Sequence, residues 1–214
     1  MKNSKLIPAL VLAIASFVTL NAQDVTFQDF LAQFPKASLP YTFNAEEMKG
    51  QLETRQASKA ARLDWSFYHF LPELERSAAH SNMPVCPEPV AAFETNEYTA
   101  VLYNIARGFS RGNKTYSITV FTKQGEYVGT HFVAGVNPET MTVATISETL
   151  SASVNEYKVN WANDYRANGH IGNKVTDLSL VDTATLELTT AGNPDRIEWA
   201  NLGNNTSSDL AKIK

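Results

Sequence analysis

The stretch Thr115-Tyr-Ser-Ile-Thr-Val-Phe-Thr122-Lys-Gln-Gly-Glu-Tyr127-Val-Gly-Thr-His-Phe-Val133 reads as two strands joined by a short turn. Tyr116, Ile118 and Val120 fall on one face and Ser117 and Thr119 on the other, the period of two expected of a half-buried strand. Lys123-Gln-Gly125-Glu126 supplies the glycine-containing loop of a β-hairpin, and Tyr127 to Val133 returns. Upstream, Tyr98 to Ala106 is apolar at nearly every position, which predicts a central strand covered on two sides.

Downstream the alternation continues. Tyr157, Val159 and Trp161 oppose Glu156, Lys158 and Asn160. Leu178 and Leu180, then Leu186 and Leu188, predict two strands on either side of Asp182-Thr183. Gly192-Asn193-Pro194-Asp195 reads as a turn before Ile197 and Trp199, which alternate with Arg196 and Glu198. Strands recurring roughly every 8 to 12 residues, with no helical crossover between them, imply antiparallel pairing. The expected fold is mainly β (α+β by count): an antiparallel β-meander or sandwich-like body with short N-terminal helices. Its strands span about 91–200, and a polar tail occupies 201–214.

The helical part is expected within about 25–80. Phe27, Phe30, Leu31 and Phe34 share one helical face, with Thr26 placed to cap it and Pro35 to stop it. A short extended piece, Leu39 to Phe43, follows. Asn44 with Glu47 three residues on is the capping-box pattern for a second helix, whose inner edge is Met48 and Leu52. Asp64 caps a third, and Pro72 ends it near Phe70. In that third segment Trp65, Phe67, Tyr68 and Phe70 suggest either a carbohydrate platform or a core-packing face, and the apolar spacing favours packing. Pro84, Pro87 and Pro89 break helical structure and mark 81–90 as a connector inside one domain spanning 23–214.

The first 22 residues have the form of a cleavable signal peptide. Lys2 and Lys5 precede the apolar run Ile7 to Leu20, and Ala22 offers a small residue before polar Gln23 and Asp24. That run falls short of the roughly 20 residues a membrane-spanning helix needs. Cys86 is the single cysteine, so no cysteine stands at the cleavage position to accept lipid and no internal disulfide can form. It has no basic neighbour to activate it, which favours an inert thiol. The expected location is therefore secreted or periplasmic, with no integral membrane segment after processing.

Removing the leader leaves 16 basic and 22 acidic residues, a net charge of −6. A negative domain without basic clusters argues against nucleic acid as the main partner.

Phe30-Leu-Ala-Gln-Phe34-Pro-Lys-Ala-Ser-Leu39-Pro-Tyr-Thr, the later Phe70-Leu-Pro and the hairpin Tyr116-Ser-Ile-Thr-Val-Phe-Thr-Lys-Gln-Gly together resemble a recurring pattern. It belongs to uncharacterised secreted β-rich proteins of Bacteroidota-type bacteria. The resemblance covers most of the mature chain and implies export and a β-rich fold. That family has no established activity, so it carries no catalytic residues to this chain.

The sequence carries few chemical motifs. There is no phosphate-binding glycine loop and no Gly-x-Ser-x-Gly elbow. His69, His80, His131 and His170 do not fall at zinc spacing. Arg107-Gly-Phe-Ser-Arg-Gly112 reads as a loop between strands. No catalytic residue, metal site or cofactor is assigned. The one polar constellation is Asn163-Asp-Tyr-Arg-Ala-Asn-Gly-His170, in which Asn163, Asp164, Asn168 and His170 are candidate binding residues for calcium or a sugar. Ordinary turn chemistry explains the same residues. Asp182-Thr183-Ala184 resembles a short O-glycosylation site and equally suits a turn.

Three roles fit. The first is a non-catalytic exported protein that binds a ligand or partner, an envelope protein or a saccharide. The second is a secreted hydrolase whose carboxylates only the fold brings together. The third is a structural component of the envelope. Absence of catalytic motifs leans away from an enzyme. Intact mass spectrometry of exported protein should find a chain starting at Gln23 or within a residue or two of it; a full-length cytoplasmic chain contradicts the leader.

Overall fold

The computed structural model describes residues 25–54, 61–72, 74, 86–106 and 114–191. The expected leader, the first half of the expected connector, the loop at 107–112, the expected strand around Ile197 and the expected polar tail lie outside the described residues.

Seven strands form a continuous antiparallel meander. They are β2 (Cys86–Glu94), β3 (Tyr98–Ala106), β4 (Lys114–Thr122), β5 (Tyr127–Val136), β6 (Thr140–Ile146), β7 (Ser151–Trp161) and β8 (Val175–Glu187), in that order across the sheet. The Thr115–Val133 hairpin is β4 and β5, turning at Gly125 with φ 87°. Glycine is needed there for a second reason. A Cβ on Gly125 would stand 2.9 Å from the Phe27 ring.

The meander folds over at the β5–β6 junction, where only Gly135 with Thr142 and Val136 with Met141 pair. Beyond that point β5 leaves the edge of β6, and β1 (Tyr41–Thr42) takes its place opposite Ile146 and Thr145. Just before β1, the chain also binds the free edge of β2. The Ala37 N–H donates to the Ala92 carbonyl (2.9 Å), and the Ala92 N–H to the Pro35 carbonyl (2.7 Å). Residues 35–43 thereby tie the free edge of β2 to the vacated edge of β6.

Two cores result. Between the folded leaves lie Leu102, Ile118, Val120 and Val133 from one side and Ile146, Ala152, Val159 and Val175 from the other. Helix α2 (Ala45–Thr54) inserts Met48 and Leu52 into the same core, and its Glu53 accepts a hydrogen bond from the Val175 N–H (2.9 Å). Asn44 caps α2, accepting from the Glu46 and Glu47 N–H groups at 2.9 and 3.2 Å. On the outer face of β3 and β4, Val101, Tyr103, Ile105 and Phe121 form the second core with Phe30, Phe34, Leu63, Phe67, Leu71 and Leu74. Strand β3 is thus covered on both sides, as its unbroken apolar sequence requires.

Helix α1 (Phe27–Leu31) starts at a Thr26–Asp29 capping box, and the hydrogen bonds from Thr26 hold the Asp29 carboxyl below its ordinary value. The third helical segment is a 3-10 helix, Trp65–Phe70, capped by Asp64 and ended before Pro72. Phe67 is buried and Phe70 stacks on Phe30 with ring centroids 4.9 Å apart, while Trp65 is 79% exposed. This face packs the core.

Three boundaries differ from the sequence reading. Strand β2 begins at Cys86, inside the expected connector, and contains Pro87 and Pro89. The Pro87 carbonyl faces away from β3 and accepts from the Leu63 N–H (2.8 Å), and Pro89 shares its parity. Prolines so placed remove no ladder donor, which is how an edge strand tolerates them. Secondly, Leu178 to Leu186 is one strand running through Asp182-Thr183. Thr176 and Val181 are left unpaired against β7 as bulges and absorb the change of phase. Finally, Tyr165–Asn168 is one turn of α-helix.

Phe30 is fully buried and meets five aromatic rings, those of Phe27, Phe34, Phe67, Phe70 and Phe121. Phe30→Ala should cost about 3–5 kcal/mol, lowering the melting temperature by roughly 10 °C. An unchanged thermal transition contradicts this packing.

Candidate functional site

Where the turns of the two leaves meet, an open groove of about 570 Å³ is lined by residues 37–39, the β2–β3 turn 94–98, and Glu148 with Thr149 of the β6–β7 turn. Each wall is fixed by local chemistry. In the first turn the Thr95 N–H donates to the Tyr98 carbonyl (2.9 Å) and the Tyr98 N–H to Thr95 Oγ1 (3.0 Å). In the second, Ser147 Oγ lies 2.8 Å from Ser151 Oγ and accepts from the Ser151 N–H at 3.1 Å. Leu150 closes that turn at φ 57°, a left-handed conformation uncommon for leucine. Its fully buried side chain, held in the inner core, offsets the strain.

Two carboxylates of one turn, Glu94 and Glu97, and one of the other, Glu148, line this groove. Glu94 is flanked by Lys36 at 3.7 Å and Lys123 at 3.9 Å, and its side chain is 61% exposed. Such exposed pairs contribute little to stability. Glu97 and Glu148 have no ion-pair partner among the described residues. Leu39 and Ala37 supply apolar wall, and Tyr98 adds an aromatic side chain.

A second polar group lies inside the fold. Glu88, Asn104 and Tyr116 are successive partners across β2, β3 and β4, facing the inner core beneath α2. Glu88 is only 4% exposed and Asn104 5%, and Asn104 Nδ2 donates to Glu88 Oε2 at 2.9 Å. Asn104 Oδ1 is buried without a partner among the described residues. Burial holds the Tyr116 phenol above its ordinary value, against a hydrogen bond it donates to Gln51 Oε1 (3.3 Å). This group is closed over by the core, whereas the groove is open.

The segment Asn163–His170 occupies the β7–β8 connection. Asp164 caps the short helix by accepting from the Arg166 N–H (2.9 Å), and Asn168 Nδ2 donates to the Asp164 carbonyl (2.8 Å). Asn173 organises the rest, accepting from the Asn163 N–H and donating to the carbonyls of Asn163 and Gly169. Arg166 reaches Glu139 at 2.7 Å, and Trp161 donates to the Pro138 carbonyl at 2.7 Å. His170 sits in the following turn, where its carbonyl accepts from the Asn173 N–H. The side chains of Asp164 and Asn168 are directed into the loop's own hydrogen bonds, and the structure places all four predicted residues away from the groove. Asn173, which holds the loop together, was not among the predicted residues; its only sequence signal is an Asn beside Gly172.

Among the described residues no group of three or more His, Cys, Asp or Glu side chains is arranged to hold a metal ion, and no helix is long and apolar enough to cross a membrane. No protein-family model, curated protein or solved structure matches the chain.

The buried pair makes a signed prediction. A glutamine at 88 can accept from Asn104 Nδ2 and donate to the orphaned Oδ1. Glu88→Gln should therefore leave the melting temperature unchanged or raise it. Asn104→Ala should lower stability by about 1–3 kcal/mol, because it strips a buried carboxylate of its donor. Denaturant unfolding of both variants checks the order, and the reverse order contradicts the pairing.

Proposed function

We propose that the mature domain is an exported binding module that takes a hydroxyl-rich ligand, a saccharide segment, into the groove between the β2–β3 and β6–β7 turns. One observation carries this reading: an open groove of about 570 Å³ where Glu94, Glu97, Glu148 and Tyr98 stand against an apolar wall. That volume lies within the range of small-ligand sites, and the lining is mainly polar, with Ser38, Thr95, Asn96 and Thr149 beside the three glutamates. Carboxylates accept hydrogen bonds from sugar hydroxyls, and an aromatic ring packs against the apolar face of a pyranose. Export rests on the leader-like first 22 residues, and the net negative charge fits an uncharged partner better than a polyanion.

A second reading is favoured by the same carboxylates. They come from turns about fifty residues apart in the chain and line one groove only through the fold, and a carboxylate hydrolase draws its acid and base from such a set. Binding and hydrolysis therefore share one site and differ in whether the ligand is returned intact.

Calorimetric titration of the mature domain with a panel of bacterial and plant oligosaccharides separates the outcomes. Binding is expected, weakened about tenfold by Glu97→Gln or Glu148→Gln, each of which removes a charge-assisted hydrogen bond. Chromatography of the recovered sugar should show it unchanged. Shortened products that vanish in both variants establish hydrolysis in its place, and no binding across the panel overturns the saccharide reading.

A further inference from the structure

Strand β8 ends the sheet, and its sequence leaves it able to accept another strand. It is 13 residues long, roughly 40 Å at about 3.3 Å per residue, and exposed everywhere except Val175, Leu178 and Leu186. Among the described residues no strand pairs with its outer edge. Such an edge presents a row of backbone N–H and C=O groups, and proteins commonly blunt it with lysine, proline or brevity. Val175 to Glu187 contains no lysine, arginine or proline. The bulges at Thr176 and Val181 interrupt the ladder, but Asp182–Glu187 runs without irregularity opposite Ser151–Glu156. That regular stretch has the length of an ordinary strand.

Its side chains define what can lie beside it. Leu180 and Val181, 57% and 53% exposed, sit together at its upstream end, where the bulge leaves Val181 unpaired. Asp182 and Glu187 bound the stretch, five positions apart. Successive strand residues point to opposite faces, so these two acids project on opposite faces of the sheet. Asp182 stands opposite Glu156, which adds negative charge on its face, and Glu187 stands opposite Ser151. No lysine or arginine pairs with any of these acids among the described residues. Lys158, the one basic residue of β7, is the partner of Ser179. A second copy laid along this edge would set acids against acids with no base between them, and like charges directly opposite destabilise a sheet. The edge suits a strand of opposite charge.

We propose that Asp182–Glu187 is the docking edge for an extended segment of a partner protein, added to the sheet as a further strand and carrying lysine or arginine at two positions five residues apart. Backbone hydrogen bonds along the edge hold the segment, and side chains on its two faces select it. One basic side chain meets Asp182 and Glu156, and the other meets Glu187 on the opposite face. An apolar residue beyond the Asp182 end covers Leu180 and Val181. This edge shares no residue with the groove.

Amide shift mapping and hydrogen exchange on isotopically labelled protein spanning residues 23–214 test the assignment. The probe is the capped peptide Lys-Thr-Val-Thr-Val-Lys. Controls are Glu-Thr-Val-Thr-Val-Glu and the closer-spaced Lys-Thr-Val-Thr-Lys-Val. At up to about 1 mM the probe should shift the amides of Val181–Glu187, and slow exchange at those that point away from β7. The acidic peptide should bind about tenfold more weakly and the closer-spaced one about threefold. Exchanging both charges, Asp182→Lys with Glu187→Lys, should reverse the preference between the probe and the acidic peptide. That variant keeps its fold, because both positions are exposed and a lysine opposite Glu156 replaces a like-charge contact with an attractive one. No shift in β8, equal affinity for all three peptides, or shifts confined to the groove turns overturns the proposal. So does slow exchange at the outward β8 amides of the free monomer, which gives the edge to the chain's own residues. A dimer paired through β8 overturns it in favour of a second copy.

Discussion

Strand β3 is buried on both faces, and the rest of the molecule is arranged around meeting that demand. Ala100 and Leu102 point into the space between the leaves, and Val101, Tyr103 and Ile105 point the other way. A sheet in water can leave one face wet, but not two faces of large apolar side chains. The inner face is covered by folding the meander back at β5–β6. The outer face is covered by the N-terminal third of the chain, whose phenylalanines gather on Phe121 and Tyr103. Residues 35–43 then have a definite path, from the α1 side across the free edge of β2 to the vacated edge of β6. That path also forms one wall of the groove.

How much of this was legible depends on whether the signal is local. The Thr115–Val133 hairpin announces itself because alternation and a turn glycine lie within twenty residues of each other. The capping residues Thr26, Asn44 and Asp64 are equally local, and each caps as its sequence implies. Pro87 and Pro89 misled because a proline's cost in a strand depends on which edge its nitrogen faces, and a sequence does not state which strand lies at an edge. Asp182-Thr183 looked like a break for a related reason: a bulge at Val181 lets polar residues continue in a strand that is exposed along most of its length.

The candidate site was the least legible part. Glu94 and Glu97 sit one turn from Tyr98, but Glu148 joins them only because the folded meander brings the β6–β7 turn alongside. The same holds for Glu88 with Asn104 and for Glu156 with Asp182, pairs created by register between strands. The loop Asn163–His170 drew notice because its polar residues are adjacent in sequence, and in the fold they mostly satisfy one another. Adjacent polar residues tend to find each other first. Convergent ones, such as Glu94 and Glu148, are brought together only by the fold.

The groove is the claim on which the functional account turns, and NMR titration tests it directly. An oligosaccharide found to bind should be added to isotopically labelled protein spanning residues 23–214, following backbone amide shifts. The account predicts perturbations concentrated at Ser38, Thr95–Tyr98 and Glu148–Leu150, with the amides of Tyr165–Asn173 unmoved. Shifts confined to Tyr165–Asn173, with the groove turns silent, would contradict it.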